Sequence, residues 1–214
     1  SEIITIIPDD YYGIVPKVMV REGDVVKAGT PVFYNKNCEP MKFVSPVSGR
    51  VTAVNRGERR KVLSVTIARD QTIDYEHFSV EPLDQMDAEM VKAHLLKAGL
   101  WPYVKQRPYD LIANPEKTPK SIFISGFDSA PLAPDYDFVI GGQMADFQKG
   151  LDALAKLTSG KLHLGLKPGS VLSSARNVEI TQFAGPHPVG NVGVQINQIN
   201  PVNKGCLLYT SRRG

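Results

Sequence analysis

The sequence has no apolar run approaching the ~18–20 residues needed to cross a bilayer as a helix. Its longest apolar stretches are cut short by Gly, Pro or charge. Only two cysteines are present, Cys38 and Cys206, far apart and outside any Cys-x-x-Cys spacing. That scarcity argues against a zinc or iron–sulfur site on this chain and reads as a reduced, cytoplasmic protein. A signal-peptide pattern is missing as well, since the first residues alternate and run into Pro8-Asp9-Asp10. The formal net charge of +3 is small and spread along the chain, which gives no footprint for nucleic acid. The one dense basic cluster, Arg56, Arg59, Arg60 and Lys61, reads as the solvated rim of a hairpin, with contact to an anionic partner as the alternative. What is present is ordinary globular material: 214 residues, 42% hydrophobic and 22% charged. That is enough for one large or two small domains, each with its own core.

Residues 13–69 read as all-β. Turn signals at Arg21-Glu22-Gly23-Asp24, Lys27-Ala28-Gly29-Thr30 and Asn55-Arg56-Gly57-Glu58 separate short apolar runs. Pro46 and Gly49 bracket a further bend, and Val62-Leu63-Ser64-Val65-Thr66-Ile67 alternates as a strand does. Two strand–Gly turn–strand units suit a small flattened barrel with interlocking halves. Residues 86–98 change to a helical stripe, Met86, Met90, Ala93, Leu96 and Leu100, with Gly99 placed as the C-cap. His94 lies off that stripe and reads as exposed or capping.

The order from Tyr109 onward is a strand at 121–124, a loop, a possible short strand at 137–140, a helix at 145–157 and a strand at 161–166. This is a βαβ-like unit. Gly141-Gly142 reads as a bland turn, a weak phosphate-loop signal at most. The stretch 180–200 is rich in Gly and Pro, and alternation over 192–199 suggests another strand.

The most informative segment is Phe127-Asp128-Ser129-Ala130-Pro131-Leu132-Ala133-Pro134-Asp135. It follows a buried-type strand, and its prolines stiffen it where open α/β sheets place their ligand crevices. It holds two acids and a hydroxyl, but no nucleophile–base pair and no metal cluster. It therefore reads as a binding or docking corner.

Glu39-Pro40-Met41-Lys42-Phe43 resembles the biotin attachment motif, Glu-Ala-Met-Lys-Met, and the predicted β domain is the type that biotinyl and lipoyl carriers use. A carrier modified at Lys42 is therefore the alternative reading. The spacing opposes it. Pro46 follows Lys42 by only four residues, too few to complete a strand leaving a hairpin tip, so Lys42 is expected inside a strand.

A longer set of strings resembles the N-terminal half of the A subunit of the bacterial Na+-translocating NADH:quinone reductase. They are Gly29-Thr30-Pro31-Val32-Phe33-Tyr34, Ser45-Pro46-Val47-Ser48-Gly49, Arg56-Gly57-Glu58-Arg59-Arg60-Lys61, Gly99-Leu100-Trp101-Pro102, Gln106-Arg107-Pro108-Tyr109-Asp110, the run from Ile124 to Asp135, and Gly185-Pro186-His187-Pro188. The resemblance implies a mixed α/β chain. A barrel-sandwich hybrid β domain (1–80) and a helical connector (81–108) would lead into an incomplete Rossmann-like α/β domain (109–205), as in the C subunit of the Rnf complex. Residues 206–214 depart from the family pattern and read as a non-native tail.

It further implies a peripheral subunit on the cytoplasmic face of the bacterial inner membrane, at the quinone end of a sodium-exporting complex. Its partners would be the other subunits, membrane subunits included, and quinone. The complex uses NADH, flavins, an iron–sulfur centre and quinone, whereas this chain is expected to bind no cofactor or metal and to have no catalytic residue of its own. Flavin-binding relatives carry Gly-x-Gly-Gly-Ala-x-Phe-Pro where this chain has Gly99-Leu100-Trp101-Pro102-Tyr103. The quinone-side or docking candidates are Asp128, Ser129, His187, Arg107 and Trp101.

Overall fold

The computed structural model describes residues 2–79, 81–203 and 207–211. The chain divides into two compact units, one of residues 1–81 and 92–102, the other of residues 82–91 and 103–214.

Among its described residues the first unit holds seven strands: β1 (Ile3–Ile6), β2 (Pro16–Val18), β3 (Val25–Val26), β4 (Pro31–Asn35), β5 (Cys38–Val44), β6 (Gly49–Arg56) and β7 (Val62–Arg69). They form a four-stranded sheet in the order β1-β7-β6-β3 and a three-stranded sheet in the order β2-β4-β5. The pairings within both sheets are antiparallel. Buried residues come from both sheets, among them Val32, Phe33, Met41, Phe43, Val51, Val65 and Ile67. The Phe33 and Phe43 rings stack with centroids 4.6 Å apart, and Tyr11 meets Phe43 edge-on at 4.6 Å. Each buried ring contributes roughly 1.5–3 kcal/mol by area removed from water.

Lys42 lies within β5, opposite Tyr34 of β4, with its ammonium 4.7 Å from the Tyr34 ring centroid. The turn of this hairpin falls between Asn35 and Cys38. The lysine is therefore a strand residue, as its spacing from Pro46 predicts, and the carrier reading lacks the exposed hairpin-tip lysine it needs.

Helix α1 (Ala88–Lys97) follows. Asp87 Oδ1 accepts the Met90 N–H at 2.8 Å in its first turn. At its end the Leu100 N–H reaches the Leu95 carbonyl at 2.9 Å and Gly99 sits at φ +72°. This is the left-handed glycine cap that the sequence predicts. The buried residues of this stretch are Met86, Val91 and Leu96, whereas Leu100 is exposed. The expected stripe is thus rotated, because Val91 occupies the inward position assigned to Met90 and Ala93.

The second unit contains β8 (Val104–Arg107), β9 (Leu111–Ile112), β10 (Ser121–Ser125), α2 (Tyr136–Gly141), α3 (Met144–Ala155), β11 (Leu162–Leu166), β12 (Glu179–Gln182), α4 (Val192–Ile199) and β13 (Leu208–Ser211). Its sheet runs β12-β11-β10-β13-β8-β9. The four strands β12, β11, β10 and β13 are parallel, and β8 and β9 add antiparallel pairs at the edge. The chain leaves β10 through α2 and α3 to β11, then returns past β10 through α4 to β13. That is a doubly wound, Rossmann-like arrangement. Every residue of β11 is buried, as expected of a strand inside a parallel sheet. On β10, Phe123 packs with Leu208 and with Ile196 of α4, and Val192 and Ile199 join the same cluster.

Four expectations change here. Residues 137–140 are helical rather than a strand: Asp135 caps α2 by accepting the Asp137 N–H, and Gly142 ends it. Gly141-Gly142 therefore joins two helices and has no phosphate-loop geometry. Residues 192–199 are also a helix, capped by Asn191. Finally, Leu208–Ser211 forms a strand between β10 and β8, with Leu208, Tyr209 and Thr210 buried. Part of the expected tail belongs to the sheet, and so do residues 104–107, which the sequence pattern places in the connector. Cys206 lies outside the described residues.

His163 of β11 is buried and stacks on Phe123 at 4.4 Å. Burial lowers its pKa below 6.5. The unfolded chain then takes up a proton near pH 6.5 that the folded one refuses, so this contribution is complete above pH 6.5 and fades as pH falls toward the folded value. Urea titrations between about pH 7 and pH 5 are expected to show stability falling, with a shallower fall in His163→Phe. Equal slopes in the two proteins would contradict this.

Candidate functional site

Two loops meet at the carboxyl end of the parallel sheet. One leaves β10 through Gly126 and Phe127, both buried. The other leaves β12 through Phe183, whose N–H bonds the Leu166 carbonyl at 2.8 Å, and runs through Gly185 and His187 to the Asn191 cap of α4. Serine hydroxyls fasten them together. Ser129 Oγ accepts the Gly190 N–H at 2.8 Å and lies 3.1 Å from His187 Nδ1. Ser125 Oγ lies 2.8 Å from the Phe127 carbonyl and 2.9 Å from the Gly190 carbonyl.

Gln195, buried on α4, donates from Nε2 to Ser125 Oγ at 3.0 Å and to the Val189 carbonyl at 3.2 Å. The approach at Gly190 is so close that a β-carbon there would stand 2.4 Å from the Ser129 nitrogen. Only glycine fits. Asp128, exposed beside Ser129, accepts the Ala130 N–H at 2.8 Å and thereby stiffens its own loop.

The structure thus brings Asp128, Ser129 and His187 into one corner, 58 residues bridged by the Ser129–His187 contact. The loop alone offers no nucleophile–base pair, yet the fold supplies a serine–histidine contact from a second loop. In the described contacts no acid orients the other ring nitrogen, and Asp128 is engaged with backbone. The arrangement is a hydrogen-bonding platform, short of the three-part geometry of a nucleophilic serine.

Arg107 stays within the same unit. Its Nη2 lies 3.4 Å from Asp110 Oδ1, and its Nη1 would be 3.9 Å from a β-carbon at Gly193, in the first turn of α4. The guanidinium is thus paired inside its own chain. Trp101 belongs to the first unit and is 1% exposed. It cannot serve as a surface docking residue, which corrects that candidate. Sequence reading misses Ser125, Gly190 and Gln195. The signal for Gln195 is a polar residue inside the apolar spacing Val192, Ile196, Ile199.

These features define a class: a barrel-sandwich hybrid unit combined with an α/β unit that carries a polar corner at its strand ends. Residues 1–70 match the family profile described as NqrA N-terminal barrel-sandwich hybrid domain, and residues 86–212 match NqrA second alpha/beta domain. The chain belongs to the NqrA family. It is 38% identical over 210 residues to the A subunit of the Na(+)-translocating NADH-quinone reductase of Yersinia pestis, covering 96% of this chain and 47% of that protein. The protein of the same name in Serratia proteamaculans is 38% identical over 206 residues, covering 94% and 46%. That of Saccharophagus degradans is 37% identical over 211 residues, covering 97% and 47%. The chain spans about half the length of the curated relatives it matches.

Replacing Gly190 with Ala is expected to destabilise the second unit by about 1–3 kcal/mol, as overpacking does. Ser129→Ala, which leaves the Gly190 N–H without its acceptor, is expected to cost about 1 kcal/mol. Chemical denaturation of both variants checks the order, and a neutral Gly190→Ala would contradict the close approach.

Proposed function

We propose that this chain works within a Na+-translocating NADH:quinone reductase, as a peripheral subunit on the cytoplasmic face and on the quinone side. The observation that carries the reading is membership of the NqrA family, since its relatives are named as subunits of that enzyme. Among the described residues no helix is long and apolar enough to cross a membrane, which agrees with a peripheral place. Its partners are then the other subunits, membrane subunits included. NADH, the flavins and the iron–sulfur centre of the complex are held elsewhere. Where flavin-binding relatives carry a glycine-rich loop, this chain has a helix cap at Gly99 followed by the buried Trp101.

Within that reading, the corner of Asp128, Ser129 and His187 offers a quinone carbonyl one hydrogen-bond donor, the His187 ring. The Ser129 hydroxyl accepts from Gly190 N–H and has its own hydrogen to give to His187 Nδ1. Where the hydroxyl donates in this way, the N–H of the ring is the one on Nε2, on the side away from the loop contact. His187 sits between Pro186 and Pro188 and is exposed, so the ring is held stiffly and can be reached. The chain itself moves no electron in this scheme: it positions and shapes.

In the assembled complex, His187→Ala is expected to lower the quinone reductase rate several-fold. NADH oxidation by an artificial acceptor that bypasses quinone should stay unchanged. Unaltered quinone kinetics would remove His187 from the site. Failure of the tagged full-length protein to co-purify with membrane subunits and the NADH-oxidising subunit would sink the wider reading.

A further inference from the structure

The turn between β6 and β7 carries the densest positive charge of the chain. Arg56, Arg59, Arg60 and Lys61 are all exposed, and Glu58 is the one acid among them. Lys61 is already engaged, with Nζ 2.6 Å from Asp9 Oδ2. Arg56 donates from Nη1 to the Arg60 carbonyl at 3.3 Å and so braces the turn. Two backbone bonds close it, Gly57 N–H to the Lys61 carbonyl at 2.8 Å and Lys61 N–H to the Glu58 carbonyl at 3.0 Å. Among the described residues the guanidinium groups of Arg59 and Arg60 have neither an ion pair nor a hydrogen bond.

Both of these arginines are left-handed, at φ +52° and +62°. Glycine or asparagine holds such a conformation with less strain, so the shape of the turn does not call for arginine at either place. Successive left-handed residues direct their side chains roughly 100° apart, the mirror image of the right-handed helix. The two guanidinium groups therefore diverge, which suits a field of separate anions better than a single carboxylate. Leu63, 45% exposed, lies beside them: a β-carbon at Gly57 would stand 3.3 Å from its Cδ1. Arginines around an exposed aliphatic side chain match the boundary between phosphate headgroups and acyl chains. A headgroup layer also yields to a hairpin turn, whereas a protein partner must offer a groove shaped for it.

We propose that the β6–β7 turn, through Arg56, Arg59 and Arg60 with Leu63 at their side, docks on the anionic headgroups of a phospholipid surface. The inference rests on the peripheral membrane place proposed above for the presence of that surface, and owes nothing to the quinone role of His187.

The full-length protein, purified alone, is sedimented with vesicles of phosphatidylcholine, or of phosphatidylcholine and phosphatidylglycerol in equal parts. Salt is held at about 0.1 M, where charges beyond ~10 Å are largely screened. Binding is expected to the anionic vesicles only. Arg59→Gln with Arg60→Gln is expected to weaken it about ten-fold or more, since each cation at an anionic surface adds to the affinity. Lys36→Gln with Lys97→Gln removes the same charge from exposed positions outside the turn, and binding should stay within about two-fold. No preference for the anionic vesicles, or an equal loss in the two double variants, would overturn the proposal. Undiminished binding by the arginine variant overturns it as well, and loss of that variant from the co-purified complex would then assign the turn to an acidic protein surface. The vesicle result decides this inference by itself, whereas failure of the unaltered protein to co-purify with membrane subunits sinks only the peripheral reading.

Discussion

The corner of the second unit depends on one constraint: the backbone between Gly185 and Asn191 must find partners where it crosses the end of β10. A loop this close to a sheet end cannot leave its N–H and C=O groups bare without losing about 1–3 kcal/mol for each. Ser129 supplies an acceptor for the Gly190 N–H, and Ser125 approaches the Gly190 carbonyl. Gln195 then ties the same serine to the Val189 carbonyl from within α4. Two hydroxyls and one amide thereby fix the loop, the start of α4 and the end of β10 as one body. The absence of a side chain at Gly190 is what lets the parts come close enough.

Much of this architecture is legible in the sequence where length and period agree. β10, β11 and α3 read nearly as they fold, because their short apolar runs and one long amphipathic run are bounded by clear turn residues. Residues 137–140 do not, since the three apolar residues 138–140 carry no period of their own. The deciding signals are the Asp135 cap before it and the glycines after it. For 192–199 the alternation Val192, Val194, Ile196 suggests period two, yet Val192, Ile196 and Ile199 also satisfy a helix. Packing on Phe123 and Leu208 chooses that period. Leu208–Ser211 reads as a tail because its sequence departs from the family pattern. Its apolar and β-favouring residues nevertheless fill a gap between β10 and β8, where any strand of suitable pattern gains ladder bonds on both sides. Of the site, Asp128, Ser129 and His187 stand out in the sequence, but not their meeting: a contact between loops 58 residues apart has no local signal.

The first unit shows how one number of residues separates two fates of the same fold. In β5 the chain passes from Cys38 to Val44 before Ser45 and Pro46 end it, and this leaves Lys42 paired across the hairpin with Tyr34. There its ammonium rests against an aromatic face, and its neighbours Met41 and Phe43 are buried in the core. A swinging arm needs a lysine whose flanking backbone is free at a turn. The strand denies Lys42 that freedom.

The polar corner can be argued in the same way, from what each group has left to give. Ser129 Oγ already accepts from Gly190 and approaches His187, so using it as a nucleophile would dissolve the contact that positions the loop. Asp128 is occupied with Ala130 N–H. Arg107 faces Asp110, with the first turn of α4 alongside. Arg107 Nε is left without a hydrogen-bond partner but is buried, so the outer nitrogen of His187 is the exposed group here whose hydrogen bond the described contacts do not use. An imidazole held from one side and open on the other favours recognition of a carbonyl-type acceptor over bond-making chemistry. The geometry therefore fits a hydrogen-bonding platform better than a reacting centre.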